Sequence, residues 1–370
     1  MILDAEVVGA LAVLAGLRSM SRRRLAMILD VHDPVDALER IRAGGSLSPE
    51  VEPRVDVRER LRAQASTVSP SRRAARCVEV GVSVTVPGDV DYPEALRVDP
   101  ERPAVLFIRG DPSVLADRRV GMVGTRNATA AGRATAADLG ARLAEAGVSV
   151  VSGLARGIDT ASHRGVVGSG PGRAVAVLGN GPDVAYPRSN RDLLDRLVEG
   201  HLVISEWPPG TPPEAFHFPL RNRVIAALSE VLVVVESRAS GGSLITARAA
   251  LERGVEVMAV PGSPRSPASE GANHLLRDGA APVTSVNDVL EVLSITPPVR
   301  VASPRRWPSS PLAQALLDAC RDGPRSLDQL VSGSGAGVAS VAVAVADLVR
   351  EGWLVDEAGW LEVAVSGLPP

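Results

Sequence analysis

The chain has 370 residues, 45% of them hydrophobic and 22% charged, with a formal net charge of −3. That is the composition of a soluble globular protein of two or three domains, and it argues against a bulk nucleic-acid binder, although net charge says nothing of a local patch. All 40 basic residues are arginine, and there are only two cysteines, Cys77 and Cys320, which excludes a Schiff-base lysine, a Ser-Lys pair, a P-loop lysine and a disulfide framework.

The N-terminal run "MILDAEVVGALAVLAGLRSM" carries Asp4 and Glu6 where a signal peptide needs positive charge, and it is too short to span a bilayer. A cytoplasmic protein without a membrane anchor is expected. Residues 1–75 read as helical: "VVGALAVLAGL" and "SRRRLAMILD" have helical apolar spacing, and "DPVDALERIRAG" opens on Asp33-Pro34 and closes on Gly44. From about residue 80 the short runs "GVSVTVPG" and "PAVLFIRG" are β-rich.

A regular alternation follows. Strand Arg119–Val123 leads to a helix over 128–146. The strands "VSVVS", "RAVAVL", "HLVISE", "EVLVVVES" and "VEVMAVPG" succeed it, separated by helices over 158–167, 191–200, 220–229 and 244–254. Six near-continuous apolar strands alternating with helices predict a parallel sheet covered on both faces. Right-handed crossovers place every strand's C-terminal loop along one edge, where ligands of such sheets bind. The segment "ITPPVRVASPRRWPSSP" reads as a linker. Beyond it, helices over 312–321, 326–332 and 337–350 and a β-like tail suggest a winged helix. Its third helix carries one basic residue, Arg350, at its end, so packing or protein contact is favoured over groove reading.

The edge loops carry the chemistry. The first, "VGTRNATAAG", contains Gly121, Gly124, Thr125, Arg126 and Asn127 but no GxGxxG spacing, and Ser152-Gly153 stands where a ribose-binding acid would. A nicotinamide cofactor is therefore not expected. Its amides and Arg126 together suit one phosphate of a longer chain. Arginines recur at this edge: Arg126, Arg156, Arg188, Arg221, Arg223, Arg238 and Arg265. His32, His163, His201, His217 and His274 lack metal-ligand spacing, and neither metal nor other cofactor is expected. Asp159, Glu206 and Glu236 are read as orienting arginines rather than as acids, and Ser152 and Ser243 as helix caps or phosphate-binding hydroxyls rather than nucleophiles.

Six segments in fixed order, "VGTRNATAAG", "VVSGLARGIDTASH", "AVLGNGPDVAYPRSNRDLL", "SEWPPGTPPEAFHFPLRNRVIAALS", "VVVESRASGGSLITARAALERGVEVMAVPGS" and "GANHLLRDGA", closely resemble the DNA-processing protein A (DprA/Smf) family. The resemblance runs from about Gly81 to about Leu293. It implies an α/β fold: an extended Rossmann-like parallel sheet with helices on both faces, over residues 76–296. A small N-terminal helical (SAM-like) domain over 1–75, a linker over 297–311 and a C-terminal winged-helix-like domain over 312–366 flank it. The resemblance also implies a homodimer, not an enzyme, that binds single-stranded DNA without sequence preference, protects it and helps load the RecA recombinase in natural transformation. Site residues carried over are Gly124, Thr125, Arg126, Asn127, Gly153, Arg156, Gly179, Asn180, Arg188, Arg221, Asn222, Arg223, Gly241, Gly242 and Ser243. The N-terminal Gly-x-Gly hairpin common in the family reads Arg18-Ser19-Met20-Ser21 here. Near the pocket the aromatics are few, Tyr186, Trp207, Phe216 and Phe218, so mainly electrostatic affinity is expected. The alternative is a Rossmann-like nucleoside-monophosphate phosphoribohydrolase, whose turn "SGGSLITARAA" would resemble, but its acidic position is not acidic here.

Overall fold

A computed structural model describes residues 3–47, 54–295, 308 and 310–363 apart from 322, 352 and 358. The chain forms two compact units, Met1–Pro298 and Val299–Pro370; most of the expected linker lies outside the described residues.

The first unit opens with helices Ala5–Gly16, Arg22–Leu29, Pro34–Ala43, Val55–Ser66 and Pro70–Glu79. Local chemistry fixes their ends. Asp33 accepts from Val35 N at 2.8 Å ahead of Pro34, and Gly44 closes that helix at φ 73°. The apolar faces bury Leu11, Leu14, Leu25, Ile28, Leu38 and Leu61, and this core takes in Val105 and Phe107 from beyond residue 100. The helical module and the sheet thus share one core.

The sheet has nine strands: β1 Ser83–Thr85, β2 Leu106–Gly110, β3 Arg119–Val123, β4 Ser149–Ser152, β5 Ala174–Leu178, β6 Leu202–Ser205, β7 Val231–Val234, β8 Glu256–Ala259 and β9 Ala281–Pro282. Their order is β1-β2-β6-β5-β4-β3-β7-β8-β9. The six strands read from the sequence pair in parallel, as expected, and β9 adds to them. The two earlier β-rich runs are different: β1 and β2 pair antiparallel, and β2 lies antiparallel to β6. Only a short connection with the turn Pro112–Ala116 joins β2 to β3, so the chain has no crossover to bring it back to the starting end of the sheet and β2 runs opposite to the parallel strands.

Alternation along the parallel strands supplies both faces. Val120, Met122, Val150, Ala176 and Val233 pack with Leu139, Leu143 and Leu194 on one side. Val123, Val151, Val175, Val177 and Val234 pack with Val224, Ile225 and Ala250 on the other. From β3 the chain runs outward to β6, then returns to place β7 on the other side of β3. The order therefore reverses between β3 and β7, where a crevice opens beyond the carboxyl ends.

In the second unit, helices Pro311–Ala319, Leu327–Ser334 and Val338–Arg350 pack around Leu316, Leu317, Leu330, Val341 and Leu348. Strands β10 Arg325–Ser326, β11 Leu354–Glu357 and β12 Trp360–Val363 form an antiparallel sheet in the order β10-β12-β11. Arg350 pairs with Asp347 at 2.6 Å.

Two features of the first unit are testable. Helices Ala130–Glu145 and Ile158–Val166 meet backbone to backbone: a Cβ at Gly140 would lie 2.5 Å from Ser162 O, and one at Gly165 would collide with Ala137 O. Gly165→Ala is expected to cost about 1–3 kcal/mol, read as a lower urea midpoint; an unchanged midpoint would contradict this contact. His163 is fully buried and neither ring nitrogen makes a hydrogen bond. Burial, followed by repulsion from His201, pushes the imidazole down to about 3; the Ser152 backbone opposes this and Arg221 adds a smaller repulsion. The unfolded chain takes up this proton near 6.5, so the native state is favoured above that pH and loses stability as pH falls toward about 3. In His163→Leu that part of the acid loss should vanish; denaturation series of both proteins with the same pH slope would rule it out.

Candidate nucleic-acid interface

The crevice at the β3/β7 reversal has a volume of about 530 Å³. Gly124, Thr125 and Arg126 enter it from the end of β3, Arg238 and Gly241–Ser243 from the end of β7, and Arg221 and Asn222 from helix His217–Leu228. Three glycine-bearing turns at this edge end in helix N-termini, and they differ in what fills them.

The first turn is closed by the protein itself. Thr125 N donates to Glu236 O at 2.7 Å, and Asn127 N donates to Thr125 Oγ1 at 3.3 Å. Thr129 gives its N–H and its hydroxyl to the two oxygens of the buried Glu236 carboxylate, at 2.9 and 2.6 Å, and Thr129 Oγ1 caps Gly132 N at 2.9 Å. A side chain at residue 132 would strike that carboxylate. A negative charge already satisfies this helix N-terminus. In "VGTRNATAAG" the amides of Thr125, Asn127 and Thr129 thus serve Glu236 and Thr125 Oγ1, while the Arg126 side chain faces the crevice.

Asp159 fills the second turn. Ala155 N donates to its Oδ2 at 3.4 Å. Burial raises its carboxyl above the usual range, opposed by the Arg221 guanidinium 3.9 Å away. Arg221 is itself buried, donating to Gly153 O, Val177 O and Asn222 Oδ1, and Gly153 lacks the side chain that would displace its guanidinium. Burial pushes Arg221 down to about 10. It supports the floor of the crevice from beneath.

At the third turn nothing anionic intrudes. Helix Gly242–Leu251 has no side-chain cap and no acid in its first turn. Ser243 Oγ turns inward to Ser237 Oγ at 2.8 Å, while the N–H groups of Gly242 and Ser243 have no partner among the described residues. Arg126 and Arg238 are exposed and pair with no carboxylate there. Arg126 lies 4.7 Å over the Phe218 ring, which stacks on Tyr186 at 5.3 Å.

The remaining residues expected at the site are placed elsewhere. Asn127, Arg156 and Arg188 are exposed on the same edge but do not line the crevice. Gly179 accepts from His217 Nδ1 through its carbonyl, and Asn180 is buried, holding its own loop through Gly181 O and Val184 O. Arg223 faces away, bidentate on Glu206 at 2.6 and 2.8 Å, because residues 221 and 223 lie on different sides of one helix. Arg238 and the Tyr186–Phe218 stack complete the site. The sequence already offers Arg238 as an edge arginine and Tyr186 and Phe218 as aromatics near the pocket; only the stacking of the two rings has no signal in it.

A family model described as DNA recombination-mediator protein A matches residues 83–294. The DNA processing protein DprA of Bacillus subtilis is 42% identical over 216 residues, covering 58% of this chain and 72% of that protein. Protein Smf of Escherichia coli is 35% identical over 278 residues, 73% of this chain and 74% of that protein. The X-ray structure of DprA from Streptococcus pneumoniae superposes with a TM-score of 0.64 at 32% identity, over 79% of this chain and 98% of that one. DNA processing protein A from Helicobacter pylori shares the fold at 24% identity and a TM-score of 0.52, over 57% of this chain and 95% of that one. With the family model matching more than half of its length and relatives 35–42% identical, the chain belongs to the DNA recombination-mediator protein A (DprA/Smf) family.

Proposed function

We propose that the chain binds single-stranded DNA, without sequence preference, along the crevice between β3 and β7. One observation carries this reading: two glycine turns are filled by Glu236 and Asp159, and the third stays open beside Arg126 and Arg238, which have no acidic partner among the described residues. Open amides and guanidiniums accept phosphate, and the Tyr186–Phe218 faces accept any base. In this reading Arg126, Arg238 and the Gly242–Ser243 amides take phosphates. Gly124, Thr125 and Gly241 let the backbone come close, and Asn222 steadies Gly242 through its carbonyl. Arg221 and Gly153 hold the floor, Gly179 and Asn180 shape the loop carrying Tyr186, and Asn127, Arg156 and Arg188 extend the track. The Helicobacter pylori relative is described by its single-stranded DNA binding mode, which supports the assignment. The family role as a recombination mediator supports a wider reading, in which a cytoplasmic homodimer protects incoming strands and helps load RecA during natural transformation. Among the described residues no helix is long and apolar enough to cross a membrane. The phosphoribohydrolase alternative finds no support at the open turn, whose first helical residues include no acid.

Three to five phosphate contacts give a log-log salt slope of about −2 to −3.5. Fluorescence anisotropy with oligothymidine over a salt series measures it, and Arg126→Ala and Arg238→Ala should each weaken binding and flatten the slope by about 0.7. Salt-insensitive binding, or full affinity in both variants, would sink the assignment. Arg223→Ala separates structure from contact. It leaves the buried Glu206 carboxylate unpaired, at about 3–5 kcal/mol of stability, while the folded protein keeps its affinity. An intact denaturation midpoint with lost affinity would reverse that assignment.

A further inference from the structure

A second, larger cavity of about 1320 Å³ lies between the N-terminal helices and the loop after β6. It shares a wall with the crevice. Along that wall Pro213, Ala215, Phe218 and Pro219 face the crevice, while Pro212, Glu214, Phe216 and Leu220 face the cavity. Phe216 and Leu220 are 55% and 40% exposed, so large apolar surface stands open at the junction.

The cavity carries an excess of positive charge. Of the guanidiniums lining it, Arg18, Arg102 and Arg223 are held by Glu214, Asp30 and Glu206, which leaves Arg22, Arg23 and Arg73 without a carboxylate on their donors among the described residues. Arg22 and Arg73 donate only to main-chain carbonyls, of Ala15, Glu206 and Pro209. Arg23 is exposed and pairs with no carboxylate among the described residues. Arg22 also lies 5.3 Å over the Trp207 ring. A guanidinium bonded to carbonyls keeps its whole charge, so the lining attracts a polyanion. With aromatic and aliphatic surface at its mouth, the arrangement suits bases and phosphates together.

We infer that this cavity is a second single-strand subsite: a strand held in the crevice crosses the wall at Phe216 and continues along Arg23 toward the N-terminal helices. The inference rests on the proposed binding of single strands in the crevice. It makes the helical module part of the nucleic-acid surface although the module lacks the Gly-x-Gly hairpin. A protein segment seated in the cavity is the competing occupant.

Oligomer length separates the subsites. The probes are oligothymidines of about 6 and about 20 nucleotides, bracketing the span of one small single-strand site, titrated by anisotropy with the full chain. Phe216→Ala should weaken the longer probe about fivefold or more and leave the shorter one unchanged. Arg23→Glu should lower affinity for the longer probe alone and flatten its salt slope by about 0.7 or more. Equal affinities of wild type and Arg23→Glu for the longer probe overturn the second subsite, and so does an equal loss on both probes. Failure of the crevice reading looks different: there the short probe binds Arg126→Ala as well as wild type.

Discussion

The Glu236 carboxylate, held by the N–H and hydroxyl of Thr129, decides what this sheet edge can bind. In a dinucleotide fold the first turn after the central strand offers its amides and helix dipole to a pyrophosphate. Here a carboxylate from the end of β7 occupies that position, and Gly132 is bare because the carboxylate needs the room. Asp159 does the same at the neighbouring turn. Two turns are thereby filled from within, and among the described residues Arg126, Arg238 and the turn of Gly241–Ser243 at the rim meet no acid. A ligand held at the rim of a crevice can run on in both directions, as a polymer must and a cofactor need not.

Having no lysine, the chain uses one side chain for two opposite tasks. Guanidinium combines a permanent charge with a planar fork of donors, so it tolerates burial when carbonyls or carboxylates receive it. Arg221 supports the crevice floor, Arg223 clasps Glu206, and Arg253 clasps Asp99 at 2.6 Å. Arg22, Arg73 and Arg76 fasten the helical module to the loops after β5 and β6, through Glu206 O, Pro209 O and Asp183. The loop after β6 forms the wall between the two cavities. The module is thus joined to the elements that shape the binding surface. Arginines remaining outside such contacts carry the charge that faces solvent.

Much of the fold was legible in the sequence. Runs such as "VSVVS" and "EVLVVVES" are apolar on both alternations, which only a sheet covered on two faces requires, and Asp33-Pro34 with Gly44 marks a helix from cap to cap. The antiparallel placement of β2 was not legible, since an apolar strand looks alike in either direction and its partner β6 lies nearly a hundred residues away.

At the site, the sequence by itself determined the inventory: arginine as the sole strong cation, glycine turns after the strands, and too few aromatics for extensive stacking. Which of those residues meet was decided by tertiary structure. Arg221, Asn222 and Arg223 are consecutive, yet helical geometry sends Arg221 under the crevice and Arg223 to Glu206. Arg126, Tyr186 and Phe218 lie up to 92 residues apart, yet they form one stack. The fate of the first turn was hidden for the same reason. "VGTRNATAAG" reads as a phosphate loop until β7 pairs with β3 and delivers Glu236 to it. Local sequence sets which atoms a turn offers, and only the strand order sets which charge arrives to meet them.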